Sequence, residues 1–238
     1  MTHKNSVRPL AWTACVVAGL ALGYSQALLA KDEPLPEVSP EGLQLKHDSK
    51  DARVVYLRPG ATFNQYNRVA ILDCYVEFDK NWQRDYNNDR LGLQGRVSTA
   101  DMDRMKAAVG AEFKKVFTKE LQKEGGYEVV DTAAPDVLVL RPAIINLVVT
   151  APDLMTANMS RSVVSSAGQM TLYLELWDSA SNTILARILD PQADNRMGGM
   201  GQMASSVTNT AAADKIFREW AQKLHKHLDA VRGKPAGS

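Results

Sequence analysis

The chain has 238 residues, 45% of them hydrophobic and 23% charged, with a formal net charge of +1. That is the composition of a soluble globular protein, most simply one domain with room for a real core. Basic residues barely outnumber acidic ones, which gives no sign of the basic surface that nucleic-acid binding needs, and without Lys4 and Arg8 of the first thirty residues the remainder falls to about −1.

The first element is a leader. "MTHKNSVRP" is short and basic, "LAWTACVVAGLALGY" is apolar, and "SQALLA" supplies small residues before the polar "KDEPLPE". That is the order of a secretory signal peptide over residues 1–30, with cleavage after Ala27 or Ala30. The apolar run is about 15 residues, short of the roughly 20 that span a bilayer. The reading places the mature protein in the periplasm, and a retained membrane anchor is the competing reading. Cys15 lies inside the apolar run. A lipoprotein signal carries a Leu-like residue three positions before its cysteine, where this chain has Trp12. Lipidation at Cys15, with outer-membrane anchoring, is therefore the weaker alternative. Without the leader, Cys74 is alone and no internal disulfide forms.

Residues 31–52 carry Pro34, Pro36 and Pro40 with little periodicity and read as an extended lead-in to a single domain over 53–231. "RVVYLRPG" (53–60) is a short strand. In "NRVAILDCYVEF", Ala70, Leu72, Cys74, Val76 and Phe78 alternate as one unbroken core stripe, with Asp73, Tyr75 and Glu77 turned the other way. "NWQRDYNNDR" (81–90) follows. One helical turn would stack Trp82 on Tyr86, beside Arg84, Asp85, Asp89 and Arg90. Ser98 and Asp101 then form a capping box for a helix whose inner face is Met102, Met105, Val109, Phe113, Val116, Phe117 and Leu121, stopped at Gly125-Gly126. "YEVVD", "DVLVLRPAIINLVV", "QMTLYLELWD" and "TILARILD" are strands, the last two joined by the hairpin turn 179–182. A second helix runs to about Val231 with Ile216, Phe217, Trp220, Leu224 and Leu228 inward, and a tail covers 232–238.

Two helices suffice to cover one face only, so the predicted fold is α+β, a two-layer sandwich with a mixed, mostly antiparallel sheet of five to six strands. If the first helix is a right-handed crossover to a parallel "YEVVD" strand, residues 81–90 lie with the turns at 132–136 and 179–182. The long loops 151–168 and 191–206 then share the opposite end.

The chemistry-bearing patterns are weak. The serine nucleophile elbow, the zinc-protease helix and the phosphate-binding loop are absent from the sequence. Cys74 sits in an apolar stripe and reads as an inert small hydrophobe. His225 and His227 diverge by about 200° on a helix and cannot share a metal, and His47 has no obvious partner. Asp73 and Glu77 share a strand face but stand about 13 Å apart, beyond the roughly 5 to 9.5 Å of glycosidase pairs. Gly199-x-Gly201-x-x-Ala204 matches a dinucleotide fingerprint without the second half of the strand–helix–strand unit it requires, a chance match. Met197, Met200 and Met203 recur every third residue, and thioethers are soft ligands suited to Cu(I); the competing reading is a glycine-softened loop whose methionines tuck against the core. In 81–90, Trp, Tyr and Arg are the residue types of binding hot spots, against a capped, salt-bridged loop sealing one end of the sheet.

The segments "EVSPEGL", "VVYLRPGATFNQYNRVAI", "KNWQRDYN", "FTKELQKEGGYEVVD", "APDVLVLRPAIINLVVTAPD", "AGQMTLYLELWDS" and "ILARILD", with the "VTNTAAADKIFREWAQKLHKHLD" helix, resemble the bacterial family DUF3313 from about Glu37 to Asp229. The resemblance implies a bacterial cell-envelope protein, often a lipoprotein, with no assigned activity and so no catalytic residues. Its motifs fall on loops here at Asn81, Trp82, Arg84 and Asp85, and at Ala151, Pro152 and Asp153. The strand order also looks like the small α+β domains of periplasmic assembly proteins such as the amino-terminal domain of TolB, an analogy of fold alone.

The resulting expectation is a non-enzymatic interaction or assembly module of the cell envelope, without cofactor, meeting an envelope protein through Asn81, Trp82, Arg84, Asp85, Tyr86, Arg90 and Asp153. The alternatives are a periplasmic carrier of a small ligand or of copper, using Met197, Met200 and Met203, and a hydrolase of unrecognised type.

Overall fold

A computed structural model describes residues 34–47, 49, 52–89, 95–149, 162–164, 168–193, 202–204 and 206–232. The chain order is β1 (Gln44–Leu45), β2 (Val54–Leu57), β3 (Arg68–Ile71), β4 (Tyr75–Phe78), α1 (Trp82–Asn88), α2 (Thr99–Leu121), β5 (Glu128–Val129) and β6 (Val137–Val149). It continues with β7 (Ser162–Val164), β8 (Gly168–Asp178), β9 (Thr183–Ala193), β10 (Gln202–Ala204) and α3 (Ser206–Val231). Eight strands form one mixed sheet in the order β1-β2-β9-β8-β6-β3-β5, with β4 also on β6; β7 and β10 pair antiparallel by themselves. The architecture is the expected α+β sandwich, with a wider sheet than the five to six strands predicted.

The stripe from Ala70 to Phe78 is broken. β3 and β4 pair parallel with the same edge of β6, end to end, and residues 72–74 between them are not strand. The break shifts the alternation by one. Val69 and Ile71 join Val76 and Phe78 in the core beneath the helices, while Ala70 packs with Val137 and Val139 on the opposite face, beside Leu72. The break also explains Pro142 in the middle of a central strand. β3 pairs as far as Leu140 and β4 begins at Ala143, so Pro142, which lacks an N–H, falls opposite the gap.

α2 begins at the predicted capping box: Ser98 Oγ accepts from Asp101 N at 3.2 Å, and Ser98 N donates to Asp101 Oδ2 at 2.8 Å. It ends before Gly125, whose φ of +69° suits glycine. Phe113, Val116, Phe117 and Leu121 of α2 meet Ile216, Phe217, Trp220, Leu224 and Leu228 of α3 over β6 and β8. Every residue predicted on these inner faces is buried or packed against that core.

The predicted sheet end of residues 81–90 is corrected. β5 has only two residues, and β6, like β5, runs parallel to β3. Phe78 therefore lies beside Leu147 near the far end of β6, and α1 stands at the sheet end where β6 finishes at Val149, β8 begins at Gly168 and β9 finishes at Ala193. The turns at 132–136 and 179–182 are at the other end. The error came from giving "YEVVD" a full strand's length; two residues cannot carry the chain across the sheet. Residues of the lead-in pack on the sheet. Leu43 is fully buried among Val54, Tyr56 and Tyr173, and β1 pairs with β2 as the edge strand.

Candidate functional site

α1 has two faces. Inward, Trp82 is 6% exposed, stacks on Phe78 at 4.5 Å and on Tyr86 at 5.4 Å, and donates its indole N–H to Val149 O at 3.1 Å. Gln83 and Asn87, one turn apart, clamp the segment ahead of α2. Gln83 Nε2 donates to Val97 O (3.1 Å), Asn87 Nδ2 to the same oxygen (2.9 Å), and Val97 N to Asn87 Oδ1 (2.7 Å). Outward, Asn81, Arg84, Asp85, Asn88 and Asp89 are exposed, and Arg84 Nε donates to Asp85 Oδ1 at 2.9 Å.

The predicted Trp82–Tyr86 stack is therefore present, but Trp82 lies in the core and not on the surface. Tyr86 is half-buried. What α1 presents to solvent is an amide, a guanidinium and a carboxylate, held by aromatic residues underneath. Gln83 and Asn87 were not singled out from sequence; their spacing of four on one helical face is the signal that marks them. Arg90, Asp153, Met197 and Met200 lie outside the described residues. Met203 lies in β10, where its backbone pairs with Val163.

The strand ends beside α1 are irregular. The β6–β8 register shifts between Ile145 and Val148, and Asn146 adopts φ +52°. A bulge of this kind re-aims a strand near its end. Gly168 faces it at φ +155°, where a Cβ would meet Val148 O at 2.5 Å, so only glycine fits.

A charged cluster occupies the sheet face away from the helices. Arg187 bridges Glu41 (2.9 and 3.1 Å) and Glu175 (2.9 and 3.2 Å), while Tyr173 Oη and Trp177 Nε1 donate to Glu175 at 2.6 and 3.0 Å. The Arg141 guanidinium lies over the Trp177 ring at 4.8 Å. Burial opposes the Arg187 charge, but Glu41 and Glu175 outweigh it and hold its pKa above the ordinary value. Burial, then the Glu175 charge, pushes the Tyr173 hydroxyl well above the usual tyrosine range. Each charge has a counter-charge and each buried donor an acceptor, so the cluster ties the lead-in to the sheet.

The remaining chemistry-bearing residues are apart. Burial pushes the Cys74 thiol up to about 12, far from a nucleophile's range. His225 is held by Glu120 O (2.9 Å) and Asp229 (3.2 Å), and His47 by Glu37 (2.9 Å). Asp73 is 99% exposed and meets Lys114 at 3.2 Å. Among the described residues no three His, Cys, Asp or Glu side chains are grouped to hold a metal ion, and no helix is long and apolar enough to cross a membrane.

Residues 37–224 match the family model of a protein of unknown function, DUF3313. No functionally curated protein matches. Among solved structures, the chain is similar to the PelC dodecamer from Paraburkholderia phytofirmans, with 9% identity, 69% of this chain and 95% of that chain covered, and a TM-score of 0.32. It is also similar to the hypothetical protein CT253 from Chlamydia trachomatis, with 10% identity, 69% and 99% covered, and a TM-score of 0.36. Likenesses this slight bear on neither mechanism nor partner.

Proposed function

This chain belongs to the DUF3313 family, and from that premise we propose that it is an exported cell-envelope protein acting in the periplasm as a non-enzymatic interaction module. Its contact edge is the outer face of α1: Asn81, Arg84 and Asp85, rimmed by Tyr86. One observation supports this reading above the others. Trp82, Gln83 and Asn87 fasten α1 to Val149 and Val97, so the exposed groups stand on a fixed frame. A preorganised surface gives up less entropy on binding than a free loop. The partner is an envelope protein with a complementary polar patch.

Two measurements test the reading. Mass spectrometry of the protein from periplasmic extract should give a mature chain starting at Leu28 or Lys31; a retained leader or an acyl group on Cys15 overturns the address. A photocrosslinker at position 84 should trap one envelope protein that a crosslinker at Ser181, at the other sheet end, does not. Equal trapping at both positions overturns the edge.

The carrier reading with Met197, Met200 and Met203 is the alternative. Saturable Cu(I) uptake lost in the triple Met→Leu variant would favour it.

A further inference from the structure

The sheet is wider than the helices that cover it. Seven strands abreast at about 4.8 Å span roughly 29 Å, whereas two helices packed about 10 Å apart cover roughly 20 Å. α2 lies over β4 and β5. α3 is tied to β9 by the Trp220 indole N–H, which donates to Asp190 Oδ2 at 2.8 Å. The shortfall falls beyond α3, over β9 and β2. There a cavity of about 230 Å³ opens between Leu224 and Leu228 of α3 and Val55, Leu57 and Ile188 of the sheet.

Three properties of this cavity define what it fits. It is apolar. An apolar protein cavity of about 150 Å³ holds benzene, about 25 Å³ per carbon, so this one holds about nine carbons. Its floor runs about 13 Å along β8, from Leu172 to Leu176, at the strand rise. And it is polar at one place. Asp190 is buried and already accepts from Arg53 N (3.2 Å), Gln192 Nε2 (2.9 Å) and Trp220. It holds the Lys223 ammonium at 3.8 Å, with the Lys223 side chain 39% exposed. His227, one turn further on the same helix, lines the same cavity and is exposed. Asp190 faces inward to its donors, whereas Lys223 reaches solvent.

We propose that this trough is a binding site for a medium-chain fatty carboxylate, its acyl tail of about nine carbons along β8 and its carboxylate on Lys223, with His227 beside it. The tail fills space that the two helices leave open, and the head adds a counter-ion to an ammonium that Asp190 already tethers. The proposal is independent of the α1 contact edge, which lies elsewhere in the fold.

The test is calorimetric titration of the purified protein with straight-chain carboxylates from six to sixteen carbons, below their micelle concentrations, against the matching alcohols and alkyltrimethylammonium ions. Affinity should rise about fourfold per methylene to about nine carbons and then level off. Lys223→Gln should weaken the carboxylates about tenfold and leave the alcohols unchanged. Ala52→Trp, on the rim, should abolish binding of carboxylates and alcohols alike without changing the circular dichroism spectrum. Affinity that climbs through sixteen carbons, ammonium ions that bind as well as carboxylates, or titrations unchanged in Ala52→Trp would overturn the proposal. So would the absence of saturable binding.

Discussion

The Trp82 indole N–H meets the Val149 carbonyl at 3.1 Å, tying the first turn of α1 to the last residue of the longest strand. A residue type typical of binding surfaces here serves as an internal strut. Trp82→Ala would open a cavity between Phe78 and Tyr86 and cost about 3 to 5 kcal/mol. Trp82→Phe keeps much of the ring contact but strands the carbonyl, at about 1 to 3 kcal/mol. Arg84→Ala, on the exposed face, should lie within about 0.5 kcal/mol of the parent. Urea unfolding of the three variants checks the order, and a Trp82→Ala variant as stable as Arg84→Ala would contradict it.

Arg187 is predicted to be a sensitive buried charge. Arg187→Met removes the closer counter-charge of buried Glu175 and leaves it Arg141 at 3.9 Å, a loss of up to about 3 kcal/mol. Adding Glu175→Gln should restore a large part of that loss, with a coupling above about 1 kcal/mol in a double-mutant cycle. Additive effects would show that the two residues do not act as a pair.

Acid should weaken the fold through the α2 cap. Hydrogen bonds from Ser98, and then the nearby Arg104, hold the Asp101 carboxyl below the usual aspartate value; Arg68 does the same for Asp136. A depressed folded-state value means that the stabilisation is fully present above the unfolded value of about 3.9 and is lost as pH falls from there through the lower folded-state value. The melting temperature should stay level between about pH 5 and 8 and fall below about pH 4. The deficit of Asp101→Asn relative to the parent should be largest at neutral pH and shrink at pH 3. A deficit that is constant with pH would contradict the assignment.

Cys74 should be chemically quiet. With its thiol pushed up to about 12 by burial, the thiolate is scarce at pH 8, and alkylation of the native protein should be far slower than of the urea-unfolded chain. Rapid native alkylation would place the thiol in a different environment.

Much of this was readable in the sequence, because helices advertise themselves by a period sustained over many residues. The Ser98–Asp101 cap, the Phe113–Leu121 face and the Ile216–Leu228 face all follow from local rules. What was not readable depends on which strand lies beside which. The phase break at 72–74 looks like continued alternation, since Ala70, Leu72 and Cys74 are all apolar, and only pairing with β6 reveals that β3 and β4 are separate. The two-residue length of β5 misplaced α1 at the wrong sheet end. Glu41, Glu175 and Arg187 are distant in sequence, and only the 179–182 hairpin register hinted that the latter two would meet. The trough beside α3 has no sequence signature of its own; it follows from counting strands against helices. At α1, Trp82 and Tyr86 were found, but composition could not tell the strut from the surface.

The central claim is that α1 is a fixed platform whose outer face meets an envelope partner. Its most direct test is photocrosslinking in intact periplasm with a probe at Arg84, in the parent and in an Asn81→Ala/Asp85→Ala variant with an unchanged melting temperature. The account predicts one specific adduct in the parent and its loss in the variant. An adduct of equal yield in both, or none in either, would contradict it.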